Sequence, residues 1–146
     1  MEEFIVMAKQ FAQNHTLMVV AWVLVFLTVI YTLVKSVTTK VKVVTNPQAT
    51  SLINNQDAVL LDIRSPDDFK QGHIVNSINI LPAEIKKQNL GKIEQFKDKP
   101  VIVVCASGIS ATASAELLTK QGFNQVYTLK EGIAAWRAAN LPLVKK

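Results

Sequence analysis

From Leu17 to Val34 the chain reads LMVVAWVLVFLTVIYTLV, without one charge, glycine or proline. At about 1.5 Å per residue such a run makes a helix on the order of 27 Å long, close to the thickness of a bilayer's hydrocarbon core. A strand of this composition would seldom exceed about ten residues, so length selects the helix. A cleaved signal peptide would want a basic leader, an apolar core of about 7 to 15 residues and a small-residue cleavage site. Here the leader carries Glu2, Glu3 and Lys9, and the stretch from Tyr31 to Ser36 has no Ala-x-Ala. The run 17–34 is therefore predicted to be an uncleaved membrane anchor behind a short segment, 1–16.

The flanks set the orientation. Lys9 stands alone before the span, whereas Lys35, Lys40 and Lys42 follow it, and the more positive side stays in the cytoplasm. A single pass with the C-terminal part in the cytosol follows. Asn14-His15-Thr16 fits an N-glycosylation pattern, but so short a match beside the membrane is read as chance. Residues 35–45, KSVTTKVKVVT, alternate polar and apolar and suit a helix extension, an edge strand or a linker. They are assigned as a juxtamembrane linker. Asn46-Pro47 supplies an N-cap and a proline at the first helical position, and opens a globular domain, 46–146.

About 100 residues suffice for one hydrophobic core. Nearly half the chain is apolar (49%) and only 18% is charged, which excludes a disordered chain. The single cysteine excludes an intramolecular disulfide, and with two histidines it cannot furnish a four-ligand structural zinc site. No metal or organic cofactor site is visible. The net charge of +5 comes from scattered lysines, with arginine only at positions 64 and 137, which argues against nucleic-acid binding. Strands are predicted at 59–61, 78–81, 101–104 and 126–129, and helices at 47–56, 66–70, 82–88, 110–121 and 132–139. The continuous β-branched run Val101–Val104 calls for burial on both faces, as at the centre of a parallel sheet. The alternation implies an α/β sheet with right-handed crossovers.

Cys105 ends the third of these strands, and Ala106, Ser107, Gly108, Ile109 and Ser110 lead into a helix. Open parallel sheets bind ligands at the carboxyl ends of their strands, where a helix N-terminus offers free N–H groups. A short loop with Gly108 can turn its amides onto one anion, which would lower the thiol pKa and hold a charged sulfur. The alternative is a small buried hydrophobe. Position between strand and helix favours the reactive thiol.

These residues resemble a known family. The stretch from Leu61 to Ile74, LDIRSPDDFKQGHI, followed by Ser77-Ile78-Asn79-Ile80, is similar to the D-x-R…(E/D)-(F/Y)…G-H-I signature of rhodanese-like domains. Pro100 to Cys105, Gly108, Ser114-Ala115, Leu117-Leu118, Gly122-Phe123, Val126, Leu129, Gly132 and Trp136 match the second half at the family's spacing. The resemblance covers Asn46 to Leu143. It implies a rhodanese-like parallel sheet with helices on both faces; such a domain behind one N-terminal transmembrane helix is an arrangement also met in bacterial proteins, and the chain is expected in the inner membrane. It further implies a sulfur-moving loop, Cys105 to Ser110. Cys105 would take the terminal sulfur of a donor as a persulfide and pass it to a thiol acceptor, splitting one transfer into two steps.

Many active members carry Arg at the second and sixth loop positions, here Ala106 and Ser110. Without a guanidinium to grip an oxyanion, a persulfide donor fits better than thiosulfate. With no second cysteine, the acceptor lies outside the chain. Asn76 and Glu131 replace residues that are commonly glycine in the family. Related cysteine phosphatases and arsenate reductases need an Arg shortly after the Cys, and none occurs from 106 to 112. Asp62 and Arg64 are expected to tie their strand to the loop bearing Asp68 and His73, as supports to the site. His73 reads as a hydrogen-bonded turn residue, Trp136 as core, and Lys86, Lys87, Lys92, Lys97 and Lys99 as a solvated face. The expected function is a membrane-anchored sulfurtransferase or persulfide carrier working between a sulfur donor and a thiol acceptor. The competing reading is a catalytically weak rhodanese-like adaptor that gathers membrane-protein partners.

Overall fold

The structure, a computed structural model, describes residues 1–38 and 41–145, in two compact units, Met1–Thr39 and Lys40–Lys146. Residues 39 and 40 of the expected linker, including Lys40, and the terminal Lys146 lie outside the described residues. The first unit holds helices α1 (Glu2–Asn14) and α2 (Thr16–Thr38), separated by His15, whose φ of −129° and ψ of 44° leave the helical region. Within α2, Thr16–Val34 is a stretch of 19 residues with mean hydropathy 2.7, long and apolar enough to cross a membrane.

The second unit is built on one sheet. Strands β1 (Lys42–Val44), β2 (Val59–Asp62), β3 (Ile78–Asn79), β4 (Pro100–Val104) and β5 (Gln125–Leu129) are all parallel, in the order β1-β5-β4-β2-β3. Helices α3 (Asn46–Gln56), α4 (Pro66–Gln71), α5 (Pro82–Lys86), α6 (Ala111–Lys120) and α7 (Gly132–Ala138), with a 3-10 turn at Gly91–Phe96, connect them. β4 is central, and all five of its residues are buried, as the β-branched run requires. Successive strand residues point to opposite faces, so each face receives its own core. Leu61, Val101, Val103 and Val126 pack on one side with Ile85 and the buried stripe Ala111, Ala115 and Leu118 of α6. Leu60, Ile102, Val104 and Leu129 pack on the other with Ala49, Ile133 and Trp136. Each large apolar side chain so buried contributes about 1.5–3 kcal/mol. Trp136 is core, and its indole N–H donates to the Pro142 carbonyl at 3.0 Å.

Some boundaries differ from those expected. Lys42–Val44, within the stretch assigned as linker, forms the edge strand, because β5 offers it a ladder running from Lys42 opposite Tyr127 to Val44 opposite Leu129. The cap of α3 is Thr45 rather than Asn46. Its N–H donates to the Gln48 side chain at 2.9 Å, and Asn46 instead reaches the Ala135 carbonyl at 3.3 Å. β3 stops at Asn79 instead of 81, with the Leu81 N–H turned to Glu84 at 3.3 Å. α5 ends before Gln88, which is left-handed at φ 60°.

Candidate active site

β4 delivers Cys105 to the carboxyl edge of the sheet, and α6 begins at Ala111. Between them Ala106, Ser107, Ile109 and Ser110 are exposed, whereas Cys105 is only 2% exposed. The Gly108 N–H donates to Cys105 Sγ at 2.9 Å. Burial pushes the thiol pKa up. The Ser110 hydroxyl and the N–H groups of Ala111, Gly108 and Ser107 outweigh it and hold the pKa below the ordinary thiol value. Each of these donors stabilises the thiolate and not the thiol. Two of them, the Ala111 amide and the Ser110 hydroxyl, were not singled out as donors from sequence. Their signal is position, at the free N–H end of α6.

The loop is clamped from behind by the start of α7. Ile133 N–H donates to the Cys105 carbonyl at 2.9 Å, and Ala134 N–H donates to the Ala106 carbonyl at 3.1 Å. This approach requires glycine twice. Gly132 has φ 57°, and a Cβ there would lie 2.1 Å from the Cys105 carbonyl oxygen. Gly108 has φ 91°, and its Cβ would lie 2.9 Å from the Glu131 nitrogen. Loop curl alone had explained Gly108; the second reason is the backbone of Glu131 lying against it. Glu131 and Asn76 take left-handed φ values of 58° and 63°, a conformation that favours glycine.

Asp62 and Arg64 form a buried ion pair at 2.8 Å, with side-chain exposures of 1% and 6%. The Asp62 carboxylate also accepts the Arg64 backbone N–H at 3.0 Å, and Arg64 Nη2 donates to the Gly72 carbonyl at 2.7 Å. Asn79 Nδ2 closes the turn by donating to the carbonyls of Asp62 and Arg64 at 3.0 and 2.9 Å. The arginine thus meets the loop at Gly72. Asp68 takes no part through its exposed side chain, and its N–H is capped by Ser65 Oγ at 3.2 Å. His73 Nδ1 donates to the Phe69 carbonyl at 2.7 Å, since a carbonyl can only accept, and its ring stacks on Phe69 at 3.8 Å. Asp62 is also the register partner of Val104, the residue before the cysteine. Lys97 reaches Glu94 at 3.8 Å, and Lys99 lies over the Phe96 ring at 5.5 Å.

The arrangement can stabilise an anionic sulfur at a sheet edge, under a loop that presents Ile109, 84% exposed. The family model described as Rhodanese-like domain matches residues 45–139. Uncharacterized protein YibN of Escherichia coli K12 is 52% identical over 136 residues, covering 93% of this chain and 95% of that one. Thiosulfate sulfurtransferase GlpE of Pseudoalteromonas translucida is 38% identical over 92 residues, covering 63% of this chain and 85% of the relative. Among solved structures, a rhodanese-related protein from Thermoplasma volcanium superposes with a TM-score of 0.61 at 28% identity, over 72% of this chain and 99% of the other.

Proposed function

The chain belongs to the rhodanese-like domain family, and on that premise we propose that it is a membrane-anchored sulfurtransferase or persulfide carrier with Cys105 as its nucleophile. One observation carries the reading: main-chain and hydroxyl donors converge on Cys105 Sγ, with Gly108 N–H at 2.9 Å. The Cys105 thiolate attacks the outer sulfur of a donor persulfide, its S–S bond breaks, and the donor leaves as a thiolate. An acceptor thiolate then attacks the outer sulfur now on Cys105, and the Cys105 thiolate is regenerated. Sulfane sulfur moves and nothing is net oxidised. The amides of Ser107, Gly108 and Ala111 and the Ser110 hydroxyl hold the charged intermediate, while Asp62, Arg64 and His73 keep the adjoining strand and turn in place.

The donor class follows from the loop's own chemistry. Its side chains carry no cation, so a doubly charged oxyanion finds no guanidinium in the loop to bind it. A persulfide on a protein or a small thiol suits this surface better than thiosulfate. α2 serves as the anchor, with the sulfur-handling domain on the cytoplasmic side of the inner membrane.

The full chain, held in detergent micelles, is to be incubated with thiosulfate or with a low-molecular-weight persulfide and its intact mass read. A gain of about 32 Da from the persulfide, absent in Cys105→Ser, is expected. No gain from either donor would remove the carrier reading. It would leave the adaptor reading, favoured by the 2% exposure of Cys105. For orientation, a reporter fused after Lys146 is expected to be active only in its cytosolic form.

A further inference from the structure

We propose that α1 lies along the lipid–water boundary, with one face sunk among the acyl chains beside the point where α2 enters the bilayer. The inference rests on the reading of α2 as the span. At 100° per residue, Phe4, Ile5, Met7, Ala8, Phe11 and Ala12 fall within an arc of about 160°, while Glu2, Glu3, Lys9, Gln10, Gln13 and Asn14 occupy the opposite side. Val6 alone breaks the division. No residue of α1 is buried, and Phe4, Ile5, Met7 and Phe11 are 73%, 62%, 62% and 52% exposed. Four large apolar side chains on one face of a 13-residue helix call for a cover.

Three observations identify that cover as lipid. First, only His15 separates α1 from a 19-residue apolar stretch, which at about 1.5 Å per residue fills the hydrocarbon core and leaves its first residue at the headgroups. The whole of α1 is then within about 20 Å of the boundary. Second, the apolar surface is continuous across the junction. Phe11 of α1 shares a groove of about 410 Å³ with Met18, Val19, Trp22, Val23 and Phe26 of α2. Third, the charges are confined to the face that would meet water, where two glutamates outnumber one lysine. Attachment therefore depends on apolar burial and not on anionic headgroups.

The test uses the full chain with Cys105→Ser, single cysteines placed by Phe4→Cys, Phe11→Cys, Glu3→Cys, Gln10→Cys or Val25→Cys, and a nitroxide label on each. Samples are reconstituted in phosphatidylcholine vesicles with and without phosphatidylglycerol. Collision with oxygen is compared with collision with a water-soluble nickel chelate. Labels at 4 and 11 are expected to show a severalfold higher oxygen-to-chelate ratio than labels at 3 and 10, alike in both vesicles. Equal chelate access on both faces would put the helix in water, and protection of 4 and 11 from both agents would put protein over it; either overturns the proposal. The label at 25 separates the two levels. If it is lipid-buried while 4 and 11 are not, α1 alone is misread, whereas exposure at 25 removes the span itself.

Discussion

Replacing Gly132 by alanine is expected to destabilise the domain far more than replacing Gly91, although both glycines have nearly the same backbone conformation, φ 57° and 53°. At Gly91 nothing lies within 4 Å of an added Cβ, so only the left-handed strain counts, about 1 kcal/mol after the gain from a stiffer unfolded chain. At Gly132 the same strain applies, but the Cβ would stand 2.1 Å from the Cys105 carbonyl oxygen, and the start of α7 must withdraw. Withdrawal lengthens the bonds from Ile133 and Ala134 to the Cys105 and Ala106 carbonyls, each worth about 1 kcal/mol. The sum for Gly132→Ala is about 3 kcal/mol, plus whatever packing α7 loses with Ile133 and Trp136. Urea unfolding followed by Trp136 fluorescence in a Trp22→Phe background reads both variants. Trp136 is 5% exposed, one turn from the change. The folded fraction of Gly132→Ala should also take up sulfur more slowly, since the loop behind Cys105 has lost its clamp. If the two variants agree within about 0.5 kcal/mol, α7 does not grip the loop and the reasoning fails.

Alkylation rate against pH should give a midpoint for Cys105 below that of the unfolded chain, and Ser110→Ala should move it upward by removing a donor to the thiolate. An acid whose pKa falls on folding adds stability that is complete above the unfolded value and is lost as pH drops through the folded one. The stability gap between wild type and Cys105→Ser should therefore widen with rising pH across that window, as denaturation at several pH values will show. Arg64→Ala strands the Asp62 carboxylate, which is 1% exposed, and should cost about 3–5 kcal/mol in the same urea assay, against much less for the exposed Lys86→Ala. Glu131→Gly relieves a left-handed φ of 58° and is expected to raise stability by about 0.5–1 kcal/mol; a loss would show that the glutamate side chain contributes more than its strain costs.

Elements governed by near neighbours were legible in the sequence. β4 announces itself by the four consecutive β-branched residues Val101–Val104, and α6 by alanines and leucine at helical spacing closed by Gly122. The strand-loop-helix setting of Cys105 could be read for the same reason. Elements that depend on distant partners could not be singled out. Lys42–Val44 is only three residues long, and what makes it a strand is β5, some eighty positions later. The hold of α7 on the loop was hidden because a glycine signals freedom without naming the backbone that comes close. The 3-10 turn Gly91–Phe96 has too few residues to show a period. The periodicity of α1 is present in the letters but is overshadowed by the apolar run that follows it.

The sheet order has a consequence for how the protein is made. The first strand to leave the ribosome, immediately after the apolar helix, has β5 as its one ladder partner, and β5 is the last strand translated. Pairings so far apart in the chain form slowly, after the loop between them has closed. Until synthesis has passed Leu129, β4 presents an open edge in the nascent domain. Its sheet can be completed only once the polypeptide is nearly finished.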